Sequence, residues 1–149
     1  MRKFVSSCLL RGARSGSALL MTVILFGLGV SDSSASSVYT VHAKIQEGVN
    51  LSNPHRTAIG IECSEQTLRP GMSNTELVLE APSEYHGTYV ESVTAKVESK
   101  KRAMVVISYK EIGSVVRRGD IVVYFATCGP NGTSWEIGGT LPRRYWPKQ

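Results

Sequence analysis

Apolar residues recur at helical spacing where the polar part of the chain begins. Val38, Val41 and Ile45 lie three or four positions apart, which predicts an amphipathic helix over Val38–Gln46. Pro54 interrupts this pattern, because proline lacks an amide donor and disfavours helical dihedrals in the residue before it. We therefore predict either two helices or one kinked helix in this region.

The residues around and after Pro54 predict a second helix and then a long connection. Pro54 suits the first helical position, with Ser52 or Asn53 as the cap, and the helix would end near Cys63. The residues of this helix predicted to face inward are Ala58, Ile59 and Ile61. The polar stretch Gln66–Glu84 is rich in turn residues and is predicted to be a loop. Three apolar residues within this loop are candidates for the core: Leu77, Val78 and Leu79.

Four β-strands are predicted after this loop, from alternating or β-branched apolar runs. Their ranges are Tyr89–Val97, Ala103–Tyr109, Asp120–Thr127 and Ser134–Ile137. The polar runs Ser99–Arg102 and Gly129–Gly132 would form turns between them. The whole pattern predicts the α+β fold class, with an N-terminal helix packed on a four-stranded antiparallel sheet.

The first 35 residues have a different character. A basic start is followed by the apolar run Ala18–Val30 and then by the small polar residues SDSSASS. A membrane helix needs about 20 apolar residues, and this run is shorter. The three features together are typical of a secretory signal peptide, with cleavage before Ser36. We therefore divide the chain into a leader with its apolar segment, residues 1–35, and a head domain, residues 36–149.

Composition and net charge indicate the broad class of the protein but say little about its function. The 149 residues, 42% of them hydrophobic and 19% charged, fit one globular domain rather than a disordered chain. The formal net charge is +5, but much of it comes from the N-terminal segment. The basic residues there are Arg2, Lys3, Arg11 and Arg14. The positive charge is thus largely a targeting signal, which argues against a dedicated polyanion-binding protein.

Clusters of basic residues in the head domain have two possible interpretations. Phosphate contacts, combined with stacking on the nearby Tyr145 and Trp146, would allow DNA binding. The alternative is that these charges keep turns solvated and strand edges unpaired. The candidate residues are Lys100, Lys101, Arg102, Arg117, Arg118, Arg143 and Arg144.

The cysteines predict a disulfide. Cleavage of the leader would remove Cys8 and leave Cys63 and Cys128 as an even pair in an exported protein. A bridge between them would close a loop of 65 residues. The chain-entropy account gives such a loop about 4 kcal/mol of stabilisation. The spacing suits neither a zinc site nor a C-x-x-C redox motif.

Motifs for catalysis, metals and cofactors are missing from the sequence. His42, His55 and His86 share no metal-ligand spacing with one another or with a cysteine or acid, so we expect them on the surface. Nucleophile-elbow and glycine-rich phosphate-binding motifs do not occur. We therefore expect a protein that is not an enzyme, with no cofactor and no metal site.

Two stretches resemble one protein family. Tyr39–Leu68 contains Y-T-x-x-A-K-x-x-E-G followed by A-x-G-I-x-C-S-E-x-T-L, and Gly138–Lys148 reads GGTLPRRYWPK. Both are similar to segments of type IV pilins of the type a class, the second to the terminal G-G-T-L-P-x-K-Y-x-P-K. The resemblance covers residues 39–149. It implies a pilin-like α+β head, a Cys63–Cys128 bridge as in some relatives, and a structural role.

The resemblance also implies partners and a location. Pilins are anchored in the inner membrane and then assembled with other pilin subunits by the pilus assembly machinery. Their filaments serve surface adhesion, through a surface receptor, and twitching motility, and some take up DNA. We therefore expect this chain in the envelope of a bacterium, on the fimbrium or cell surface.

The leader departs from the pilin pattern. Pilins carry a Gly-Phe cleavage junction and a glutamate at the fifth mature position, expected to pair with a neighbour's terminal amine in a low dielectric. Here Gly12 or Gly16 would be the junction, which puts Ser17 or Met21 at the fifth position. Two interpretations stay open. The chain is a pilus-associated subunit anchored by Ala18–Val30, or it is an exported, soluble binding module detached from the filament, periplasmic or secreted.

Overall fold

The computed structural model describes residues 33–148, with side chains from Ser37 onward. Two helices come first, α1 over Ser33–Leu51 and α2 over Asn53–Glu65. The strands are β1 Val90–Ser99, β2 Arg102–Tyr109, β3 Ile121–Gly129 and β4 Gly132–Gly139. Short 3₁₀ turns are formed by Pro82–Glu84 and Arg143–Tyr145. The fold class is α+β, as the sequence predicts, whereas the apolar run Ala18–Val30 lies outside the described residues.

Only Ser52 separates α1 from α2. Its amide donates to the Gly48 carbonyl at 2.9 Å and its carbonyl accepts the Arg56 amide at 3.0 Å, so helical hydrogen bonding continues across the junction. The Ser52 hydroxyl donates to the Val49 carbonyl at 2.7 Å and does not cap α2. Two helices are present, which is one of the two predicted alternatives, but they meet at Ser52 without losing these hydrogen bonds, and the side-chain cap predicted at Ser52 is not formed.

Two residues predicted to face the core face solvent instead. Ile61 is 50% exposed, because two positions along a helix place it about 200° around the axis from the fully buried Ile59. Val78 is 93% exposed and has a φ of 56°, a left-handed conformation, and it follows the buried Leu77. The predictions for Ile61 and Val78 are wrong, whereas Ile59 and Leu77 do join the core.

The strands form one antiparallel sheet in the order β1-β2-β3-β4. Buried and partly exposed residues alternate along β2, as expected for a strand with only one fully covered face. Val105 of β2 lies between Ala95 of β1 and Tyr124 of β3, and all three are buried. Ile45 and Ile59 of the helices belong to the same buried cluster, so the core lies between the helices and this face.

The outer edge of β1 is closed by the loop that precedes it. The Val97 amide donates to the Met72 carbonyl at 3.0 Å. Next along this edge, the Asn74 side chain replaces a backbone peptide: its Oδ1 accepts the Ala95 amide at 2.6 Å, and its Nδ2 donates to the Val93 carbonyl at 3.2 Å. Open strand edges invite pairing with other chains, and these bonds leave no such template along this part of β1.

A glycine on α1 sits directly against β2. The Tyr109 hydroxyl donates to the Ile45 carbonyl at 2.9 Å, and burial raises the pKa of this phenol. A Cβ atom at Gly48 would lie 2.4 Å from the Tyr109 hydroxyl oxygen and 2.7 Å from Cγ2 of Ile107. Any side chain at Gly48 would therefore displace the tyrosine, so this glycine sets the distance between α1 and β2.

The close approach at Gly48 predicts an unusual result for a helical glycine. Alanine in a helix is ordinarily favoured over glycine by about 1 kcal/mol. At Gly48 we expect Gly48→Ala to lower the free energy of unfolding by about 1–3 kcal/mol, because overpacking outweighs the helical preference. Guanidinium denaturation, with the disulfide intact, measures this value.

The matched control is Gly60→Ala on α2, where nothing lies within 4 Å of an added Cβ. This variant should gain about 0.5–1 kcal/mol, as at an ordinary helix position. A Gly48→Ala protein as stable as the native chain would contradict the close contact between α1 and β2.

Candidate functional site at the disulfide and the basic clusters

The structure contains the disulfide that the sequence predicts. Cys63, near the end of α2, is bonded to Cys128, near the end of β3, and their Cα atoms are 5.3 Å apart. The bridge joins the second helix to the third strand across a separation of 65 residues. Because both sulfur atoms are in the bridge, neither cysteine is available as a nucleophile or a metal ligand.

The disulfide borders an open concave surface that also holds one of the basic clusters. This surface encloses about 740 Å³, and its lining includes Cys63, Cys128, Lys100 and Lys101. The Cys128 amide donates to the Lys101 carbonyl at 2.9 Å, which holds the turn between β1 and β2 beside the bridge. Both lysines are exposed. The surface thus offers two ammonium groups to an anion, in a setting where salt screens the attraction strongly.

Two arginines of the basic clusters are already engaged with carboxylates. Arg102 forms an exposed ion pair with Glu98 at 3.8 Å. Arg118 lies beyond the end of β2, and its Nη2 donates to Glu91 Oε1 at 2.8 Å. This hydrogen bond, with the charge of Arg118, lowers the pKa of Glu91. The backbone amide of Arg117 donates to Asp120 Oδ2 at 2.8 Å, which shapes the loop that carries both arginines.

Arg143 and Arg144 lie in the 3₁₀ turn after β4, against the chain's own aromatic rings. The guanidinium of Arg143 is 5.6 Å from the ring centroid of Trp146, and that of Arg144 is 4.8 Å from the ring of Tyr145. Trp146 Nε1 donates to the Leu141 carbonyl at 2.7 Å. The aromatic residues proposed to stack on bases therefore make these contacts within the chain.

The basic residues do not form a single surface. In the antiparallel sheet, β2 and β4 end on the same side, so the pairs Arg117–Arg118 and Arg143–Arg144 lie at one end of the sheet and Lys100–Arg102 at the other. Eight residues of β2 span about 25 Å, at roughly 3.3 Å per residue. That distance exceeds the Debye length of about 8 Å at physiological salt. DNA binding by these residues stays a prediction.

His55 is buried, contrary to the surface position expected for it. The residue is 0% exposed, its Nε2 lies 3.2 Å from Asn74 Nδ2, and its ring meets the Tyr85 ring edge-on at 4.3 Å. Within the described residues Nδ1 has no hydrogen-bond partner. Burial is the largest influence and lowers the pKa of His55, while the backbone of Val93 and Leu51 acts in the opposite direction. The available signal was the spacing of four residues to Ile59, which places His55 on the inward face of α2.

Two further polar residues carry no sequence motif. Asn74 lies in a stretch that predicts only a turn, yet it is 1% exposed. Arg56 lies on α2 with its guanidinium 4.8 Å from the ring of Tyr124.

Between residues 33 and 148, no group of three or more His, Cys, Asp or Glu residues could hold a metal ion. A helix long and apolar enough to cross a membrane is not found in that range either.

The lowered pKa of His55 predicts a pH-dependent stability. The unfolded ring titrates near 6.5 and the buried ring below that value, so the unfolded chain binds the proton more readily. The free energy of unfolding should therefore be level above about pH 7.5 and fall by up to about 1.4 kcal/mol per pH unit as the pH drops below 6.5. Urea denaturation between pH 7.5 and 5.5 measures this slope.

Two variants assign the slope to one histidine. His55→Gln should be less stable at pH 7.5 but should lose most of the slope, whereas His86→Gln, at an exposed histidine, should keep it. An identical slope in the native chain and in His55→Gln would show that His55 is not the titrating group.

Comparisons with known proteins give no further identification: no protein-family model matches the chain, and no curated protein matches it significantly.

Proposed function

We propose that this chain is a structural subunit or minor component of a type IV pilus, with roles in surface adhesion and twitching motility. The observation that carries the proposal is that the two segments with pilin-like sequence lie against each other. Tyr39–Leu68 makes up most of α1 and all of α2, and Gly138–Lys148 follows from the end of β4.

Specific contacts join these two segments. The rings of His42 and Tyr145 are 6.0 Å apart, and Tyr145 is only 3% exposed. Val49 of α1 and Lys148 border the same cleft. Both segments therefore belong to one folded unit, as a common pilin-like origin would require. Their contact supports the interpretation that both come from one pilin-like head, with the N-terminal helix packed on the sheet.

The described surface of α1 is compatible with packing between subunits. Tyr39, Ala43, Gln46 and Asn50 are exposed and lie three or four positions apart, so they form one stripe along the helix. Tyr39 alone is 78% exposed. In an assembled filament, this stripe is the part of the helix left free to meet neighbouring helices.

The leader sets how well the chain enters filaments. Without a carboxylate at the fifth position, an incoming subunit lacks the pairing partner for its neighbour's terminal amine. We therefore expect the native chain at a low level in filaments, carried by a pilin that has the usual leader. Replacing Ala13–Gly29 by a standard pilin leader and apolar helix should raise incorporation.

Filament shearing tests the proposal. In a bacterium that assembles these filaments, tagged native chain and leader-replaced chain are compared in sheared filaments and in whole envelopes by immunoblot. The matched control carries the same replacement leader on an unrelated exported domain. The proposal predicts enrichment of the leader-replaced head over that control.

Two outcomes would decide against parts of this account. A leader-replaced chain that accumulates in the envelope but stays out of filaments would overturn the pilin-like head and favour the detached binding module. A native chain that already dominates purified filaments would show that the missing glutamate does not limit assembly.

A further inference from the structure

A cleft lies where the two helices meet the last two strands. Its lining comes from separate parts of the chain: Val49 of α1, Arg56 of α2, Tyr124 of β3, Trp135 of β4, and Lys148 after the last 3₁₀ turn. The cleft encloses about 460 Å³, a size typical of small-molecule sites. The proposed role in a pilus assigns no ligand to this cleft.

Arg56 is the unusual member of the lining. It is half-buried, its guanidinium lies 4.8 Å from the Tyr124 ring, and its Nη2 donates to Asn53 Oδ1. Its Nε is buried and has no hydrogen-bond partner in the described part of the chain. The ion pairs of that part involve Arg102 and Arg118, so no described carboxylate neutralises Arg56. Because no described carboxylate pairs with it, the charge of Arg56 remains available to an anion, and a charge-assisted hydrogen bond to that anion is among the stronger ones in proteins.

The other residues that line the cleft indicate what kind of molecule would carry the anionic group. Tyr124 and Trp135 meet edge-on, with ring centroids 6.4 Å apart and an interplanar angle of 81°. Val49 adds an aliphatic surface, Lys148 adds a second cation, and none of the described lining residues is acidic. Aromatic walls favour a flat apolar body, and the planar guanidinium fork matches a carboxylate better than a point charge would.

We propose that this cleft binds a small aromatic carboxylate, with the carboxylate on the accessible edge of Arg56 and the ring against Trp135. Lys148 contributes long-range attraction rather than a fixed contact, because it is exposed. The cleft then acts as a ligand site on the side of the head where α1, α2 and the chain's end come together.

A titration of the oxidised full-length protein, followed by ¹H–¹⁵N NMR, tests the proposal. The probe is 3-phenylpropionate, and its neutral amide, 3-phenylpropanamide, is the matched ligand of the same shape. We expect saturable shifts at the Trp135 indole N–H and the Arg56 amide, with a dissociation constant on the order of 1 mM for so small a ligand. The amide should bind at least about fivefold more weakly, because it loses the charge-assisted hydrogen bond.

Protein variants separate Arg56 from the general positive charge of the head. Arg56→Gln should weaken 3-phenylpropionate binding about tenfold, the usual loss for a charged hydrogen bond. Arg143→Gln should leave binding unchanged, since Arg143 also lies over a tryptophan ring, 5.6 Å from that of Trp146, but does not line the cleft. Arg56→Lys, which keeps the charge but not the fork, should fall between the two.

Three results would overturn the proposal: no saturable shift for the native protein, equal binding of acid and amide, or shifts scattered outside the cleft. Equal binding by the native protein and a folded Arg56→Gln would overturn it too. The comparison of acid and amide needs only the native chain, so the test stands even if Arg56→Gln fails to fold.

Discussion

The hydrogen bonds made by the side-chain amide of Asn74 are the interactions on which the rest of the fold depends. Its oxygen accepts the Ala95 amide at 2.6 Å, while its nitrogen lies 3.0 Å from the Glu80 carbonyl and 3.2 Å from both the Val93 carbonyl and His55 Nε2. Two N–H groups are thus shared among three acceptors. A single buried side chain therefore joins α2, the long loop and the edge strand. Leaving any one partner unsatisfied would cost about 1–3 kcal/mol.

This network has consequences for assembly. His55 Nε2 is an acceptor for Asn74, so the ring must stay neutral for the network to hold. The closed edge of β1 directs any association with other chains to other surfaces. The helix is also fixed to the start of the sheet, because the Glu47 carboxylate accepts the Thr88 amide at 2.9 Å and the Tyr89 amide at 2.6 Å. A force applied along α1 would therefore act on the sheet directly.

The features that could be predicted from the sequence are those controlled by short-range patterns of residues. The helix near Val38, the break near Pro54, the strands and the Cys63–Cys128 pair follow from spacing, proline chemistry and cysteine parity. In the loop the prediction was wrong only for Val78, because three consecutive apolar residues cannot all point inward and the turn geometry decides which one is exposed.

Polar residues inside the fold could not be predicted for a related reason. Asn74 and Arg56 take their roles from partners that the chain brings together only on folding. Nothing near Asn74 in the sequence shows that Ala95 will need an acceptor 21 residues later. The buried position of His55 could have been predicted from its place on the same helical face as Ile59. Its polar neighbours in the sequence favoured an exposed position instead. The same limit applies to the cleft, whose walls come from four secondary-structure elements.

Native-state hydrogen exchange at the Ala95 amide tests the central role of Asn74 most directly. In the native chain this amide should exchange only through openings close in free energy to global unfolding, although it lies on an edge strand. In Asn74→Ala its protection should fall well beyond the change in global stability, while the Lys96 amide, which faces β2 in the alternating pattern, should follow global stability alone. Rapid exchange of the Ala95 amide in the native chain, or equal protection losses at Ala95 and Lys96 in the variant, would contradict this account.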